Sequence, residues 1–142
     1  MTPLPQFPYH RDPLSSGSIR QSESPCECCG KSRGQLYDGV IYSETTVKNL
    51  CPWCIADGSA AKKFGASFFD AHFCDDEANE VKMPSTCYKD VFDQTIGFAT
   101  FNPIGWWVHC NEPAEYIKRI EPYGIVFQCR VCHRQHTLQD LD

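Results

Sequence analysis

Two pairs of cysteines, Cys26/Cys29 and Cys51/Cys54, carry the clearest chemical pattern in the chain. Each pair has the Cys-x-x-Cys spacing, which places both sulfurs on one side of a tight turn. Two such turns facing each other supply the four thiolates of the closed tetrahedral site that zinc prefers. Gly30 follows the first pair, and glycine readily adopts the positive φ that lets backbone N–H groups face the sulfurs. The sequence therefore predicts a first zinc site over residues 26–54, with the intervening Cys28 pointing elsewhere.

Parts of this pattern also fit other thiol chemistry. Cys51 and Cys54 alone have the spacing of a redox dithiol, but such a motif usually stands without a second pair nearby in the chain. The cysteines could also form a disulfide framework, which requires an oxidising compartment. Residues 1–8 lack the basic segment and apolar run of a secretory signal. We therefore expect a cytoplasmic protein whose thiols bind metal.

A second metal-type turn, Cys129-x-x-Cys132, lies near the end of the chain. Cys110 is the natural third ligand, and the fourth position is open between two histidines. His109 adjoins Cys110, and because neighbours on a strand point to opposite faces, joint ligation would need a bend in the chain. His136 can swing back toward the turn more easily. The sequence therefore predicts a second zinc site within residues 109–136, with the candidate ligands Cys110, Cys129, Cys132 and either His109 or His136.

Three residues near these patterns are not assigned as ligands. Cys74 and Cys87 have no partner at turn spacing, so we interpret them as cysteines of the core. His133 follows the second turn at the position that Gly30 has after the first, which makes it a poor ligand.

Short elements must position the predicted ligands. Residues 1–25 contain five prolines and a serine-rich run, so we expect an extended strap before a single zinc-binding domain over residues 26–142. Asp38-Gly39 predicts a hairpin. Helical turns are expected over residues 44–49, 55–64 and 85–94, and a strand over residues 125–128. The predicted fold class is small α+β, stapled by metal, with zinc-ribbon-like cysteine turns, short hairpins and two or three short helices.

The composition limits the core and the kind of partner. At 142 residues with ten cysteines and ten prolines, the chain is one domain or two small lobes, in which metal supplies stability that the core lacks. A formal charge of -5 argues against a broad phosphate-binding surface and favours a basic protein partner. No stretch approaches the roughly 20 apolar residues of a membrane helix. The core wall is expected to include Phe98, Phe101, Trp106 and Trp107.

The segment from Tyr42 to Phe64, with Leu50-Cys51-Pro52-Trp53-Cys54 at its centre, resembles the signature of the CbrC family. Further motifs are similar in order, so the resemblance covers nearly the whole chain: Tyr9-His10, Gly97-Phe98, His109-Cys110 and Phe127-x-Cys129-x-x-Cys132. The resemblance implies a zinc-binding cytoplasmic protein. Through the family's link by name to colicin tolerance, it also implies protection against a protein toxin.

Three departures from the family pattern fall near the second site. Relatives commonly have a further cysteine where this chain has Ala114, and glycine where it has His133. The segment between Ile117 and Gly124 is shorter than in relatives. The first site keeps the family pattern, so the resemblance supports it more firmly than the second.

Three classes of function follow from these observations. The leading hypothesis is a non-enzymatic interaction module that masks a basic toxin domain, using the acidic segment Asp75–Glu80, Asp70 and the acidic end of the chain. The alternative is a nucleic-acid-binding zinc ribbon, whose basic residues would be Lys31, Arg33, Lys62, Lys63, Arg130 and Arg134. A thiol enzyme is the third class, but His109 and Cys110 cannot easily act as base and nucleophile on one side of a strand.

Overall fold

Short strands and helices alternate with loops along residues 3–69, 72–98, 105–121 and 124–139, which the computed structural model describes. The helices are α1 (Pro52–Ala56), α2 (Ser59–Phe64) and α3 (Ser85–Tyr88), the last continuing into a π-helical turn over Lys89–Asp93. The strands are β1 (Ile19–Gln21), β2 (Gln35–Tyr37), β3 (Phe73–Cys74), β4 (Trp106–His109), β5 (Glu112–Pro113), β6 (Glu115–Ile120), β7 (Gly124–Gln128) and β8 (Gln135–Gln139). The predicted small α+β class is confirmed.

The strands form three small sheets. β1 and β2 pair antiparallel, while β3 pairs parallel with β4, which pairs antiparallel with β5. β6, β7 and β8 form an antiparallel meander, in which Glu115 lies opposite Gln128 and Gln128 opposite Gln135. Within the described ranges, no helix has both the length and the apolar character needed to cross a membrane.

The buried side chains fall into two clusters. The first cluster surrounds the N-terminal cysteines and includes Leu36, Leu50 and Ile55. The second is rich in aromatic residues and includes Phe98, Trp106 and Trp107, as predicted for the core wall. Phe101 lies outside the described residues. Each cluster adjoins one of the predicted metal sites, so the described part of the chain has two centres of packing.

The N-terminal strap ties the two clusters together through His10. The imidazole Nδ1 donates to the Ile96 carbonyl at 2.8 Å, and Nε2 accepts from the Ser16 hydroxyl at 2.8 Å. The backbone of Arg11 donates to the carbonyl of Tyr116 at 3.0 Å, beside a parallel bridge between His10 and Tyr116. Ile96 belongs to the first cluster and Tyr116 to the second, so this buried histidine spans both.

The hairpin predicted around Asp38-Gly39 is wrong, because β2 pairs with β1 instead. The Tyr37 hydroxyl donates to the carbonyl of Val40 at 3.1 Å, and its ring lies over Gly39. After this turn the chain does not return along β2, and Tyr42 forms an antiparallel bridge with Ser67.

The helix predicted over residues 44–49 is also wrong, because these residues form no regular element. The N–H groups of Lys48 and Asn49 donate to the Glu27 carboxylate at 2.8 and 2.7 Å. A carboxylate from the first cysteine turn therefore takes donors that a helix would have used. The helix predicted over 55–64 is divided by Gly58, at φ 83°, and ends at Gly65 as expected.

Candidate metal centres

The four cysteines of the first predicted site lie together. The sulfurs of Cys26, Cys29, Cys51 and Cys54 all lie within 4.8 Å of one another. The Cys26–Cys54 and Cys29–Cys51 sulfur pairs are each 3.9 Å apart. Zinc–sulfur bonds of about 2.3 Å in a tetrahedron place sulfurs roughly 3.8 Å apart, so the four sulfurs fit such an ion.

The first cysteine turn owes its shape to backbone hydrogen bonds across Cys26–Lys31. The N–H of Gly30 donates to the Cys26 carbonyl at 2.8 Å, and the N–H of Cys26 donates to the Lys31 carbonyl at 3.0 Å. Gly30 has φ 74°, the conformation predicted for it. The turn directs the Cys28 N–H at the Cys26 sulfur, 3.3 Å away. Cys28 itself points to Ser59 and stays outside the group, as expected.

The second cysteine turn opens helix α1. Cys51 lies at the N-cap and Pro52 at the first helical position, where its missing N–H costs no helical hydrogen bond. The Cys51 N–H donates to the Cys26 sulfur at 3.3 Å, which links the two turns directly.

Two residues that sequence reasoning missed also hold the first site together. The Glu27 carboxylate binds the chain just before Cys51, through the N–H groups of Lys48 and Asn49. The Lys63 ammonium, at the end of α2, donates to the carbonyl of Cys28 at 3.2 Å. Such contacts between segments distant in sequence leave no local motif.

Burial keeps two of the four thiols of the first site, those of Cys51 and Cys54, protonated when no metal is bound. It raises the pKa of Cys51 to about 11 and also raises the pKa of Cys54. A metal must therefore displace these protons, and its binding releases them to solvent.

The second group contains His109, Cys110, Cys129 and Cys132. The Nδ1 atom of His109 lies 3.4 Å from the sulfur of Cys110 and 3.4 Å from that of Cys132. A zinc ion bound by one nitrogen and three sulfurs would place such pairs about 3.6 Å apart. The arrangement therefore fits a tetrahedral ion with three thiolates and one imidazole.

The structure brings His109 into the group and leaves His136 outside it. His136 lies on β8 opposite Phe127, and its ring stacks on Trp107 with centroids 5.0 Å apart. His109 and Cys110 converge because Cys110 and Asn111 have φ 55° and 59°. Positive φ at both central residues defines a type I′ turn, here between β4 and β5. This turn supplies the bend that joint ligation requires.

The two Cys-x-x-Cys turns share one backbone design. His133 has φ 67° and donates its N–H to the Cys129 carbonyl at 3.0 Å, as Gly30 does in the first turn. The Cys129 N–H donates to the carbonyl of Arg134 at 2.8 Å. His133 is exposed and is not a member of the group, as predicted.

The two groups differ in exposure. In the first group Cys26, Cys51 and Cys54 are buried, whereas in the second Cys110 and Cys132 are exposed. Ala114, where relatives were expected to have a further cysteine, is buried in the second cluster, and His109 completes the group instead.

Cys129 is the buried cysteine of the second group. Burial favours its neutral thiol, but N–H groups of Cys132 and Val131, together with His109, outweigh that effect and lower the pKa of Cys129 to about 6. This sulfur is therefore prepared to bind a cation at neutral pH.

Comparison with known proteins identifies related sequences. Residues 4–122 match the model of an uncharacterised protein family, UPF0167. Cys129 and Cys132 lie beyond the matched residues. A UPF0167 protein of Pseudomonas aeruginosa is 41% identical over 116 residues, which cover 80% of this chain and 63% of the relative. UPF0167 proteins of Mycobacterium bovis and Mycobacterium tuberculosis are 39% identical over 115 residues, or 80% of this chain and 59% of each relative.

The chain thus spans about three fifths of the length of the curated relatives it matches. No solved structure matches it.

Proposed function

The chain belongs to the UPF0167 family, and from that premise and the geometry of its two groups we propose that it is a zinc-binding, non-enzymatic module for protein interaction. The sulfur arrangement of the first group carries the zinc assignment. Four thiolates at tetrahedral separations, largely shielded from solvent, are typical of structural zinc sites. In the second group Nδ1 of His109 lies 3.4 Å from the sulfurs of both Cys110 and Cys132, and such a cluster with several sulfurs suits metal ligands better than one base and one nucleophile.

We propose a basic protein domain as the partner, and the CbrC resemblance suggests tolerance to a protein toxin as the setting. Charge supports this choice, since an acidic protein with a formal charge of -5 is steered toward a positively charged surface. The exposed carboxylates Glu77 and Glu80 are the leading contact residues in the described ranges. Asp70 and the acidic end of the chain, which belong to the same hypothesis, lie outside those ranges.

Two other carboxylates of the acidic segment, those of Asp75 and Asp76, are already engaged in contacts within the protein. The Asp75 carboxylate accepts the N–H groups of Glu77 and Asn79 at 3.0 and 2.9 Å. Asp76 accepts from Trp107 and pairs with Arg134. A test of the contact surface should therefore leave both aspartates in place.

The experiment is a double charge reversal, Glu77→Lys with Glu80→Lys, assayed against basic nuclease toxin domains. Association should slow by about one to three orders of magnitude, because exposed charges act mainly on the encounter rate. The matched control is Glu23→Lys with Glu44→Lys, which reverses two exposed carboxylates elsewhere in the chain. Survival of toxin-challenged cells is measured with the zinc content of each variant. Equal protection by all three proteins would remove this loop from the interface.

Nucleic-acid binding remains the second candidate because Lys31, Lys62 and Lys63 are exposed beside the first group. Arg130 and Arg134, which belong to the same hypothesis, each pair with a carboxylate, Glu112 and Asp76 respectively. Titration with single- and double-stranded oligonucleotides at rising salt separates the candidates, since binding to phosphates weakens steeply with salt.

A further inference from the structure

We propose that Asp76 is a positioning residue for the second metal group, because its carboxylate joins the two chain segments that carry the ligands. One segment is the β4–β5 hairpin with His109 and Cys110, and the other is the turn with Cys129 and Cys132. The inference deepens the proposed function and rests on metal binding by this group.

Each oxygen of the Asp76 carboxylate holds a different segment. Oδ1 accepts the indole N–H of Trp107, on β4, at 2.8 Å. Oδ2 pairs with Nη2 of Arg134, just beyond the cysteine turn, at 3.0 Å. The loop between β3 and α3 thereby binds the hairpin and the turn at once.

The contact with Trp107 bears directly on His109. The two residues are two apart on β4, so their side chains lie on the same face of the strand. Their rings stack with centroids 5.0 Å apart and an angle of 24°. A fixed indole therefore limits the rotation of the imidazole that presents Nδ1 to the group.

The contact with Arg134 bears on the cysteine turn. The carbonyl of Arg134 accepts the Cys129 N–H at 2.8 Å and so closes the turn. Its guanidinium also lies 3.4 Å from Nε2 of His109. Anchoring this side chain helps keep the turn in register with the hairpin, beside the Arg130–Glu112 ion pair that also joins the two segments at 2.9 Å.

The test is Asp76→Asn, which keeps the size of the side chain and removes its charge. Glu115→Gln is the matched control, since the Glu115–Arg11 ion pair at 2.8 Å lies between the strap and β6. Metal release to a chromophoric chelator is followed for zinc-loaded full-length chains. Loss of a group that orients a ligand typically costs 10- to 100-fold in metal affinity. Because Asp76 is exposed, we expect the lower end, about tenfold faster release from the second group, and no change in the first.

Cobalt spectra separate positioning from a general loss of stability. In Asp76→Asn the ligand-field bands of cobalt at the second group should shift, while the spectrum of the first group and the melting temperature of the chain stay near the parent values. Arg134→Gln should speed release in the same direction, and the double variant should be little worse than either single one.

Two results would overturn the inference. If Asp76→Asn releases metal at the parent's rate and gives the parent's cobalt spectrum, the carboxylate does not position the ligands. The proposed metal binding would still stand in that case, because the parent binds two metals. A parent chain that binds no metal at the second group would overturn both together.

Discussion

Single residues with positive φ mark both cysteine turns. Gly30 and His133 hold the same place in the two turns, at φ 74° and 67°. Only glycine takes this conformation without steric cost, and other residues pay on the order of 1 kcal/mol. The first turn therefore has a glycine at its positive-φ position, whereas the second turn has His133 there, at a conformational cost.

His133→Gly should slow metal loss from the second group and stabilise the chain by up to about 1 kcal/mol. Gly30→Ala should do the reverse at the first group by a similar amount. Its cost is conformational, because apart from the chain neighbours no described atom lies within 4 Å of the added Cβ. Both are measured by chelator kinetics and thermal melts. Faster metal loss in His133→Gly would contradict the argument.

His10 should make stability depend on pH. Burial lowers the pKa of this imidazole from its ordinary 6.5 to about 4. As pH falls below 6.5, the unfolded chain takes up a proton that the folded chain does not, so stability is full above pH 6.5 and is lost toward pH 4. The loss reaches up to about 3 kcal/mol.

Denaturant unfolding between pH 4.5 and 7 checks this expectation. His10→Gln should be less stable at pH 7 but should show a shallower pH dependence than the parent. His72→Gln, which changes an exposed histidine, is the control for the substitution itself. All three chains have the same cysteines, so the difference in slope between parent and His10→Gln reports His10.

The cysteines of both groups could be predicted from spacing, but which of His109 and His136 lies with the second group could not. That choice depends on the left-handed turn at Cys110 and Asn111, and neither residue is the glycine that usually signals such a turn. Glu27 and Asp76 left no signal either, because their roles come from partners far away in the sequence.

At the scale of elements, the same cysteine turn is completed in two ways. In the first group its partner is the start of helix α1, while in the second it is the β4–β5 hairpin. The helical start buries its two cysteines, whereas the hairpin places Cys110 in solvent.

Cys51→Ser should leave the chain unfolded or insoluble. A four-thiolate zinc site contributes on the order of 10 kcal/mol, comparable to the whole stability of a domain. Cys28→Ser is the control, since it makes the same chemical change beside the group without removing a ligand. Zinc content and melting temperature are measured for both. A Cys51→Ser chain with the parent's values would rule out a structural metal at this site.

Elements with strong local signals were predicted correctly, including the end of α2 at Gly65 and the strand β7. The two failures share one cause, a distant partner stronger than the local preference. The N–H and carbonyl of Tyr37, which the Asp38-Gly39 hairpin would have paired with Val40, bond instead to the Leu50 carbonyl and the Arg20 guanidinium, each at 2.8 Å. The Glu27 carboxylate takes the N–H groups of the expected helix.

At the scale of the whole molecule, the two groups should lose metal in a fixed order. A chelator should remove zinc from the exposed second group before the buried first group, giving two kinetic phases. Cys110→Ser should abolish the fast phase and leave the slow one. A single phase that carries both ions would contradict the difference in exposure.

The composition predicted a chain that relies on metal, but not how its parts are joined. Ten cysteines and a modest apolar content fit two small packing centres. Their connection through His10 was not foreseen, because a proline-rich strap shows no periodicity. The buried imidazole is recognisable only from its contacts with Ile96 and Ser16.

The exposure of Cys110 and Cys132 sets how the protein must be handled. Once a metal leaves, two thiols lie on the surface with their sulfurs within 4.8 Å of each other. Dissolved oxygen or peroxide can then take two electrons and two protons from them and close a disulfide. Metal loss at this group would become irreversible without a reductant. The zinc content of a preparation would therefore depend on how long it was exposed to air as well as on the affinity of the site.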